Sequence, residues 1–370
     1  MARHNRSMRT LYVAAGGGGD AVGALLARRA LGDTDERAPL VTTCAWERLR
    51  IDPVPGPRAR SDFTGLGLVG GEPCEVLPTS DTIPSGRSVL PRLAETSGAR
   101  VFLHDFEGGA VGLTAQLQRL GSSLNVDHLI VVDVGGDIVA RGNEAGLRSP
   151  LADSLTLAAA LETKIPTSVV VLGPGADAEL SERQVLGLLY DIAADLGGRV
   201  TAVDVRNLAP VLDWHPTEAS AVAAAAATGL RGRVSMRRGR VPVPVTDMTP
   251  GLWIAFVSSW ANIPLASALR KSESLPSAER TIRSAAVNEI DFERIVAEGS
   301  GPLHPCQSLT GVILEMESVG ATHITTRRLS ESLGARAFDV VAAHGKPVAS
   351  GLWSVDELKH CNRIDRSPRP

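Results

Sequence analysis

Apolar runs of strand length alternate with helical patterns over the first two thirds of the chain. The runs are rich in β-branched residues and lie at residues 10–15, 39–45, 99–104, 127–134, 167–173 and 199–205. Helical patterns follow up to about residue 31 and near 109–121, 150–162 and 180–197. Nearly continuous apolar strands joined by helices are typical of a parallel sheet covered on both faces. The pattern therefore predicts a doubly wound, Rossmann-like α/β fold with a mostly parallel sheet.

The pattern changes after a helix predicted near residues 217–228. Residues 231–248 alternate between apolar and polar as an exposed hairpin does. Residues 270–280 are polar and resemble a linker or a helix–helix connection, and residues 281–370 are mostly helical in pattern. These differences indicate that the last third of the chain is organised differently from the first two thirds.

A chain of 370 residues is long enough for two or three domains at roughly 150 residues each, and one large α/β domain is also compatible with this length. We expect an α/β ligand-binding core over residues 1–230. A smaller region, made of the hairpin and mostly helical segments, is expected over residues 231–370, with a disordered tail from about residue 362.

Residues 52–91 are rich in proline and glycine and show no sustained helix or strand period. A long connection of this kind in a compact domain is usually functional or disordered. It leaves the second predicted strand at its carboxyl end, where ligands bind in a parallel sheet. The sequence therefore predicts a lid that folds over the ligand, with Trp46 and Arg48 near its hinge.

Composition and charge argue against a nucleic-acid partner. The net charge is −3 and aromatic residues make up only 4% of the chain. These values exclude a globally basic binder that stacks bases on aromatic side chains. The chain has one basic cluster, which we interpret as a solvated hairpin face and which consists of Arg231, Arg233, Arg237, Arg238 and Arg240.

The cysteines and apolar runs predict a soluble, cytoplasmic protein without a membrane partner. The four cysteines are far apart and form no C-x-x-C motif, which favours a reducing compartment. No run reaches the roughly 18 apolar residues of a membrane helix. The apolar run after the N-terminal arginines is too short for a signal peptide. The sequence is compatible with a homo-oligomer.

Four consecutive glycines mark the first candidate site. The first predicted strand runs into Gly16, Gly17, Gly18 and Gly19, and Asp20 follows at the start of a helix. Glycines let the backbone approach a ligand, and a helix N-terminus attracts an anion. The run is neither a Walker loop nor a clean G-x-G-x-x-G motif. A tight turn is the alternative, but four glycines cost backbone entropy that a turn alone does not require, so we predict an anion site.

The later strands also end in turns that carry acids, most of them rich in glycine. Because the carboxyl ends of parallel strands gather at one edge of the sheet, these acids are expected to lie near one another. Carboxylates brought together repel unless a cation or a protonated partner joins them. Oxygen ligands suit Mg²⁺ or Mn²⁺. For single acids such as Asp153 and Asp177, capping of a helix start is the alternative.

These arguments assign candidate roles to the strand-end residues. The metal candidates, for Mg²⁺, are Asp133, Asp137 and Asp177. The catalytic candidates are Asp20, Asp105, Glu107, Asp137 and Glu144. The candidates for binding the ligand or a cofactor, besides Gly16–Gly19, are Trp46, Gly135, Gly136, Gly173 and Gly175. His215, at a predicted helix start, is interpreted as a locally hydrogen-bonded histidine.

Several blocks together resemble a known family. They are Gly16–Ala24, Cys44–Arg48, Asp133–Asp137, Gly142–Asp153, Gly173–Leu180, Thr217–Ser220 and Asn288–Arg294. The chain resembles, over about residues 10–340, an uncharacterised bacterial and archaeal family, domain of unknown function 1152. The resemblance implies a shared fold and site but brings no established activity. The chain departs from it at Ala178, where glycine is expected.

The residues predict an enzyme that acts on a small phosphorylated or nucleotide-like substrate, with strand-end carboxylates holding Mg²⁺. One alternative is a metal-independent lyase or cyclase that uses paired carboxylates. Gly135-Gly136-Asp137 with Gly142-Asn143-Glu144 is similar to the glycine-acid turns of the D-glutamate cyclase family, which implies lyase chemistry. The other alternative is a nucleotide-binding sensor without turnover.

Overall fold

The structure is a computed structural model of the chain. It describes residues 8–33, 35–49, 51–83, 86–236, 241–256, 260, 262–299, 307–335, 339–340 and 350–366. Three members of the basic cluster, Arg237, Arg238 and Arg240, lie outside these residues. Arg231 is described and pairs with Asp247 at the surface, with 2.7 Å between Nη2 and Oδ1.

A nine-stranded sheet lies at the centre of the molecule. In chain order the strands of the protein are β1 (Thr10–Ala14), β2 (Leu40–Thr43), β3 (Phe63–Thr64), β4 (Gly67–Val69), β5 (Glu72–Val76), β6 (Asp81–Thr82), β7 (Arg100–Leu103), β8 (His128–Val134), β9 (Thr167–Leu172), β10 (Asp195–Arg199), β11 (Gly232–Ser235), β12 (Val243–Val245), β13 (Gly251–Phe256), β14 (His323–Thr325) and β15 (Leu352–Ser354). The central sheet has the order β10-β13-β9-β8-β1-β2-β7-β5-β4. Its five middle strands, from β9 to β7, are parallel. The predicted mostly parallel α/β sheet is confirmed.

Helices pack on both faces of this sheet. The helices that lie wholly within the described residues are, in chain order, α1 (Gly18–Ala30), α2 (Leu90–Ser97), α3 (Gly109–Leu124), α4 (Pro150–Leu161), α5 (Glu182–Asp191), α6 (Ala202–Asn207), α7 (Ala209–Leu212), α8 (Ala219–Ala227), α9 (Pro264–Leu269), α10 (Leu275–Arg283), α11 (Glu289–Ala297), α12 (Leu309–Ser318), α13 (Thr326–Leu333) and α14 (Val355–Arg366). Alternate residues of β1 enter two separate cores: Leu11 and Val13 pack in one, Tyr12 and Ala14 in the other. Burial on both faces explains the continuous apolar runs.

The prediction of a strand at residues 199–205 is wrong. The strand β10 ends at Arg199, and residues 202–207 form the helix α6. Thr201 starts this helix, because its Oγ1 accepts a hydrogen bond from the Asp204 backbone N–H and the Asp204 carboxylate accepts one from the Thr201 N–H. This is a capping box, whose local hydrogen bonds outweigh the β-branched composition of the segment.

The edges of the central sheet are antiparallel. The strand β13 lies between β9 and β10 and runs antiparallel to both. It comes from beyond residue 230, where the sequence places the end of the core. At the other edge, β5 runs antiparallel to β7, and β4 to β5. These two strands lie within residues 52–91, so this segment is not the irregular loop that its sequence indicates, and its role as a lid stays a prediction.

The C-terminal region contains a second sheet besides its helices. Four strands form it in the order β12-β11-β14-β15. The hairpin predicted at residues 231–248 is confirmed by the antiparallel pair β11 and β12. Residues 275–280, predicted as linker, lie in α10, which Ser274 caps. The helix α14 extends to residue 366, residues 367–370 lie outside the described part, and the disordered tail stays a prediction. In the part of the chain that the structure describes, no helix has the length and apolar character needed to cross a membrane.

Candidate functional site

A cavity lies at the carboxyl ends of β1 and β8. The two strands are neighbours, with Ala14 paired to Val132, so the glycine run after β1 and Asp133 near the end of β8 leave the sheet side by side. The described lining of the cavity comes from these ends, from the segment after β2, from the starts of α4 and α8 and from the C-terminal region. It consists of Gly16–Asp20, Trp46–Arg48, Ile51, Val89, Asp133, Val134, Asp137, Ser149, Ala152, Asp153, Asp177, His215–Ala219, Glu289 and Arg327.

The glycine run forms the start of α1. Gly17 stands at the N-cap position, and no described side chain caps the helix. None of the four glycines has a positive φ, so backbone conformation does not require glycine here. The reason for glycine is close packing instead. A Cβ at Gly17 would lie 2.8 Å from the Trp46 carbonyl oxygen, and one at Gly18 would lie 3.0 Å from a Val89 methyl group. Branched substitutions here would therefore disturb packing as well as the cavity.

Three carboxyl groups from different elements converge beside this helix start. Asp20 lies in the first turn of α1, Asp133 on β8 and Asp153 in the first turn of α4, and one oxygen of each lies within 4.8 Å of the others. Asp133 Oδ2 and Asp153 Oδ1 are buried and have no hydrogen-bond partner among the described residues. Burial raises the pKa of Asp133 and Asp153 well above the usual range, and the neighbouring carboxylates raise it further. A cation in this position would neutralise the repulsion between the carboxylates and would bind the two oxygens that lack a hydrogen-bond partner.

A second group of acids lies next to the first, and some of its carboxylate oxygens already accept hydrogen bonds from the protein. Asp137, Asp177 and Glu179 also bring oxygens within 4.8 Å of one another. Glu179 Oε2, however, accepts hydrogen bonds from the backbone N–H groups of Arg148 at 2.6 Å and Ser149 at 2.9 Å. Glu179 therefore stabilises the start of α4.

The turn that carries Asp177 explains two of the predicted glycines. Gly135 has φ 125°, and a Cβ there would lie 2.4 Å from the Cβ of Asp177. Gly175 has φ 78° and donates its N–H to the Gly135 carbonyl oxygen. Ala178 follows with φ 67°, in the left-handed region that favours glycine, which accounts for the expectation of glycine at this position.

Several predicted site residues lie elsewhere. The described lining of the cavity includes neither Asp105, Glu107 and Glu144 nor the turn glycines Gly135, Gly136, Gly173 and Gly175. Asp105 is buried and accepts a hydrogen bond from Gln116 Nε2 at 3.1 Å. Glu107 is exposed. Glu144 accepts the N–H groups of Arg141 and Gly142, each at 2.9 Å, and so stabilises its own turn.

Other predicted residues do reach the cavity. Besides the glycine run and Asp20, they are Trp46, Asp133, Asp137 and Asp177. Trp46 is held by Glu293 of α11, whose Oε2 accepts the indole N–H at 3.0 Å. His215 also lines the cavity, and its Nδ1 accepts the Thr217 N–H at 3.1 Å, so the local hydrogen bond predicted for it is present.

The candidates predicted from sequence for the site and for the lid hinge leave out five charged residues of the described lining: Glu47, Asp153, Glu218, Glu289 and Arg327. Asp153 resembles an ordinary first-turn acid in sequence, and two signals mark it: its position after the Ser149-Pro150 helix start and its place in the block Gly142–Asp153 that resembles the family. Glu289 and Arg327 come from α11 and α13, more than 130 residues further along the chain. No local pattern marks them as neighbours of the glycine run.

Glu289 makes the stability of the metal-free protein depend on pH. Burial raises its pKa from 4.5 to about 8, although it accepts the Leu151 N–H at 3.2 Å. Between about pH 4.5 and 8 the folded protein holds a proton here that the unfolded chain has released. The free energy of unfolding therefore falls as pH rises through this window, by up to about 1.4 kcal/mol per pH unit for this group.

We expect Glu289→Gln to remove this contribution, because glutamine keeps the acceptor but does not ionise. Urea unfolding in EDTA should show that the stability of the variant relative to wild type increases from pH 4.5 to 8. A difference that stays constant over this range would show that Glu289 is ionised in the folded protein.

Comparison with known proteins identifies one relationship. Residues 11–297 match the model of a family described as "Protein of unknown function (DUF1152)". Searches of curated proteins and of solved structures find no match.

Proposed function

The chain belongs to the family of unknown function DUF1152, and we propose that it is an enzyme acting on a small phosphorylated or nucleotide-like substrate bound together with a divalent cation. The observation that carries this proposal is the convergence of Asp20, Asp133 and Asp153 beside an uncapped helix start. The first feature favours a cation and the second an anion, and both face one cavity.

The carboxylate group supports a hard divalent cation. Two of its oxygens are buried without a partner among the described residues, and burial of like charges is costly unless protons or a cation compensate them. All three ligands are carboxylate oxygens, which suit Mg²⁺ or Mn²⁺ better than zinc. When bound, such a cation would neutralise and polarise a phosphate group.

The start of α1 supports an anionic group next to that cation. The N-terminus of a helix offers backbone N–H groups and the positive end of the helix dipole. With glycine at the N-cap and in the first turn, no described side chain caps the backbone there. Gly16 donates its N–H to Asp20 Oδ2 at 2.9 Å, so the glycine run contacts the carboxylate group directly.

A specific observation also favours the metal-independent alternative. Burial raises the pKa of Glu47 to about 7, and Glu47 lines the cavity. A carboxyl group with a pKa near the working pH is suited to general acid–base catalysis, as a lyase or cyclase requires. The two proposals differ in their need for metal, so chelation separates them.

We expect Mg²⁺ or Mn²⁺ to stabilise the protein, and ADP or inorganic phosphate to bind more tightly in the presence of the cation. A cation at 100 times its Kd would add about 2.7 kcal/mol to the free energy of unfolding. Thermal unfolding and isothermal titration calorimetry, with EDTA and Ca²⁺ as comparisons, measure both effects.

Turnover is then followed as consumption of phosphorylated compounds with the purified protein. Turnover that EDTA abolishes supports the proposal, and turnover that survives EDTA supports the lyase alternative. Binding without consumption of any compound supports the sensor. Absence of both cation and phosphate binding would contradict the proposed function.

A further inference from the structure

The lining of the cavity is strongly acidic, which makes its two guanidinium groups conspicuous. Among the described lining residues the carboxyl groups are those of Asp20, Glu47, Asp133, Asp137, Asp153, Asp177, Glu218 and Glu289. The two arginines are Arg48 and Arg327. A phosphorylated substrate brings its own negative charge into this environment. A fixed positive side chain would compensate part of the substrate's charge that a single divalent cation leaves.

Arg327 is held in position by two acids. It lies in the first turn of α13, and its side chain is 19% exposed. Its Nη1 lies 3.4 Å from Glu218 Oε2, and its Nε lies 3.2 Å from Glu331 Oε1. A guanidinium has five N–H donors, more than these two contacts use. The group is therefore oriented by the protein and still able to bind an anion.

The contacts of Glu218 place Arg327 close to the glycine run. Thr217 and Ser220, on either side of Glu218, both donate hydroxyl hydrogen bonds to the Gly19 carbonyl oxygen, at 3.4 and 2.8 Å. Glu218 Oε1 accepts the hydroxyl of Thr325 at 2.6 Å. A continuous set of contacts thus joins the start of α1 to the second sheet, immediately before Arg327.

We infer that Arg327 binds the anionic group of the substrate, so that the C-terminal region completes the site and sets its preference for phosphorylated compounds. Arg327 lies beyond residues 11–297, which match the family model, so the match does not assign it. The inference rests on the proposed function and adds to it a second contact for the phosphate group. The planar guanidinium matches phosphate oxygens in a bidentate manner, which an ammonium group cannot do.

The test compares Arg327→Ala and Arg327→Lys with a matched control, Arg328→Ala. Arg328 is the next residue, pairs with Glu315 at 2.7 Å and is not among the residues of the described lining. Isothermal titration with ADP and with inorganic phosphate, each in the presence of Mg²⁺, measures anion binding. Titration with Mg²⁺ alone measures the carboxylate site.

We expect Arg327→Ala to weaken ADP and phosphate binding at least tenfold and to leave the Mg²⁺ affinity within about twofold of wild type. Arg327→Lys should recover part of the loss, and Arg328→Ala should bind like wild type. If removal of Arg327 alone destabilises the protein because Glu218 loses its partner, the double variant Glu218→Gln, Arg327→Gln keeps the net charge and is measured instead.

Wild-type binding of ADP and phosphate by the Arg327 variants would overturn the inference and leave the proposed function intact. Failure of the wild-type protein to bind either compound, with or without Mg²⁺, would overturn both. An equal loss in the Arg328 variant would also overturn it, since the effect would then reflect net charge or the packing of α13 rather than a contact in the cavity.

Discussion

Replacing Asp133 by asparagine is expected to abolish divalent-cation binding. Asp133 lies on the buried strand β8 at the centre of the first carboxylate group, and its Oδ2 has no hydrogen-bond partner in the described part of the chain. Asparagine keeps the size and removes the charge that attracts the cation. We expect the Mg²⁺ affinity to fall at least 100-fold, or about 2.7 kcal/mol, and Mg²⁺-dependent turnover to fall with it. Isothermal titration and an activity assay measure the two effects.

The same substitution is expected to make the metal-free protein more stable. It removes one of three neighbouring carboxyl groups that repel one another, two of which are buried, and burial together with these neighbours raises the pKa of Asp133 well above its usual range. The variant in EDTA should therefore unfold at a higher urea concentration than wild type at pH 8. Mg²⁺ should close this gap by stabilising the wild type only.

Glu144→Gln is the matched control for Asp133→Asn. It also removes one negative charge from a strand-end acid, but Glu144 lies outside the described lining and accepts hydrogen bonds within its own turn. It should bind Mg²⁺ as wild type does. Retention of wild-type cation affinity in the Asp133 variant would refute the carboxylate site.

Replacing Arg58 by methionine is expected to destabilise the protein by about 3–5 kcal/mol, the usual cost of leaving one partner of a buried ion pair alone. Arg58 binds Asp52 in a bidentate manner, with Nε–Oδ2 at 2.6 Å and Nη2–Oδ1 at 2.7 Å, and both side chains are 2% exposed. The Arg58 N–H also donates to the Ala45 carbonyl oxygen, next to Trp46 of the cavity. If the segment around Arg58 shifts in the variant, this backbone hydrogen bond should shift with it and displace Trp46 in the cavity.

Urea unfolding measures this loss, with Arg141→Met as the control. Arg141 pairs with Asp191 at a similar distance, 2.6 Å, but both side chains are more than half exposed, so the pair is worth less than about 1 kcal/mol. The double variant Asp52→Asn, Arg58→Met should be more stable than Arg58→Met alone. Equal stability of the Arg58 and Arg141 variants would show that breaking the buried Asp52–Arg58 pair costs no more free energy of unfolding than breaking an exposed pair.

The features predicted correctly are those that local sequence encodes. The strands β1 and β8 are apolar because both of their faces are buried, and each runs into a turn with glycine and an acid. The position of such turns at one edge follows from the parallel direction of the strands. The sequence alone therefore suffices to place the glycine run, Asp20, Asp133, Asp137 and Asp177 near one another.

The features predicted wrongly depend on contacts between distant segments. The strands β4 and β10 lie at the two edges of the sheet, β5 connects β4 to the parallel strands, and β13 enters the sheet from beyond the predicted core. Strands at a sheet edge pair on one side only and carry weaker apolar patterns than central ones. Residues 52–91 therefore resemble a loop in sequence although they extend the sheet.

By itself, the sequence determined the parallel centre of the sheet, the glycine start of α1 and the supply of carboxylates at the strand ends, because apolar period and turn chemistry act within a few residues. Only the tertiary structure decided which acids meet. Asp105 and Glu144 make local hydrogen bonds away from the cavity, while Asp153, Glu289 and Arg327 reach it through helix packing. Side chains that are far apart in sequence become neighbours through the register of the strands and the packing of helices across the sheet. A local sequence pattern encodes neither the register nor the helix packing.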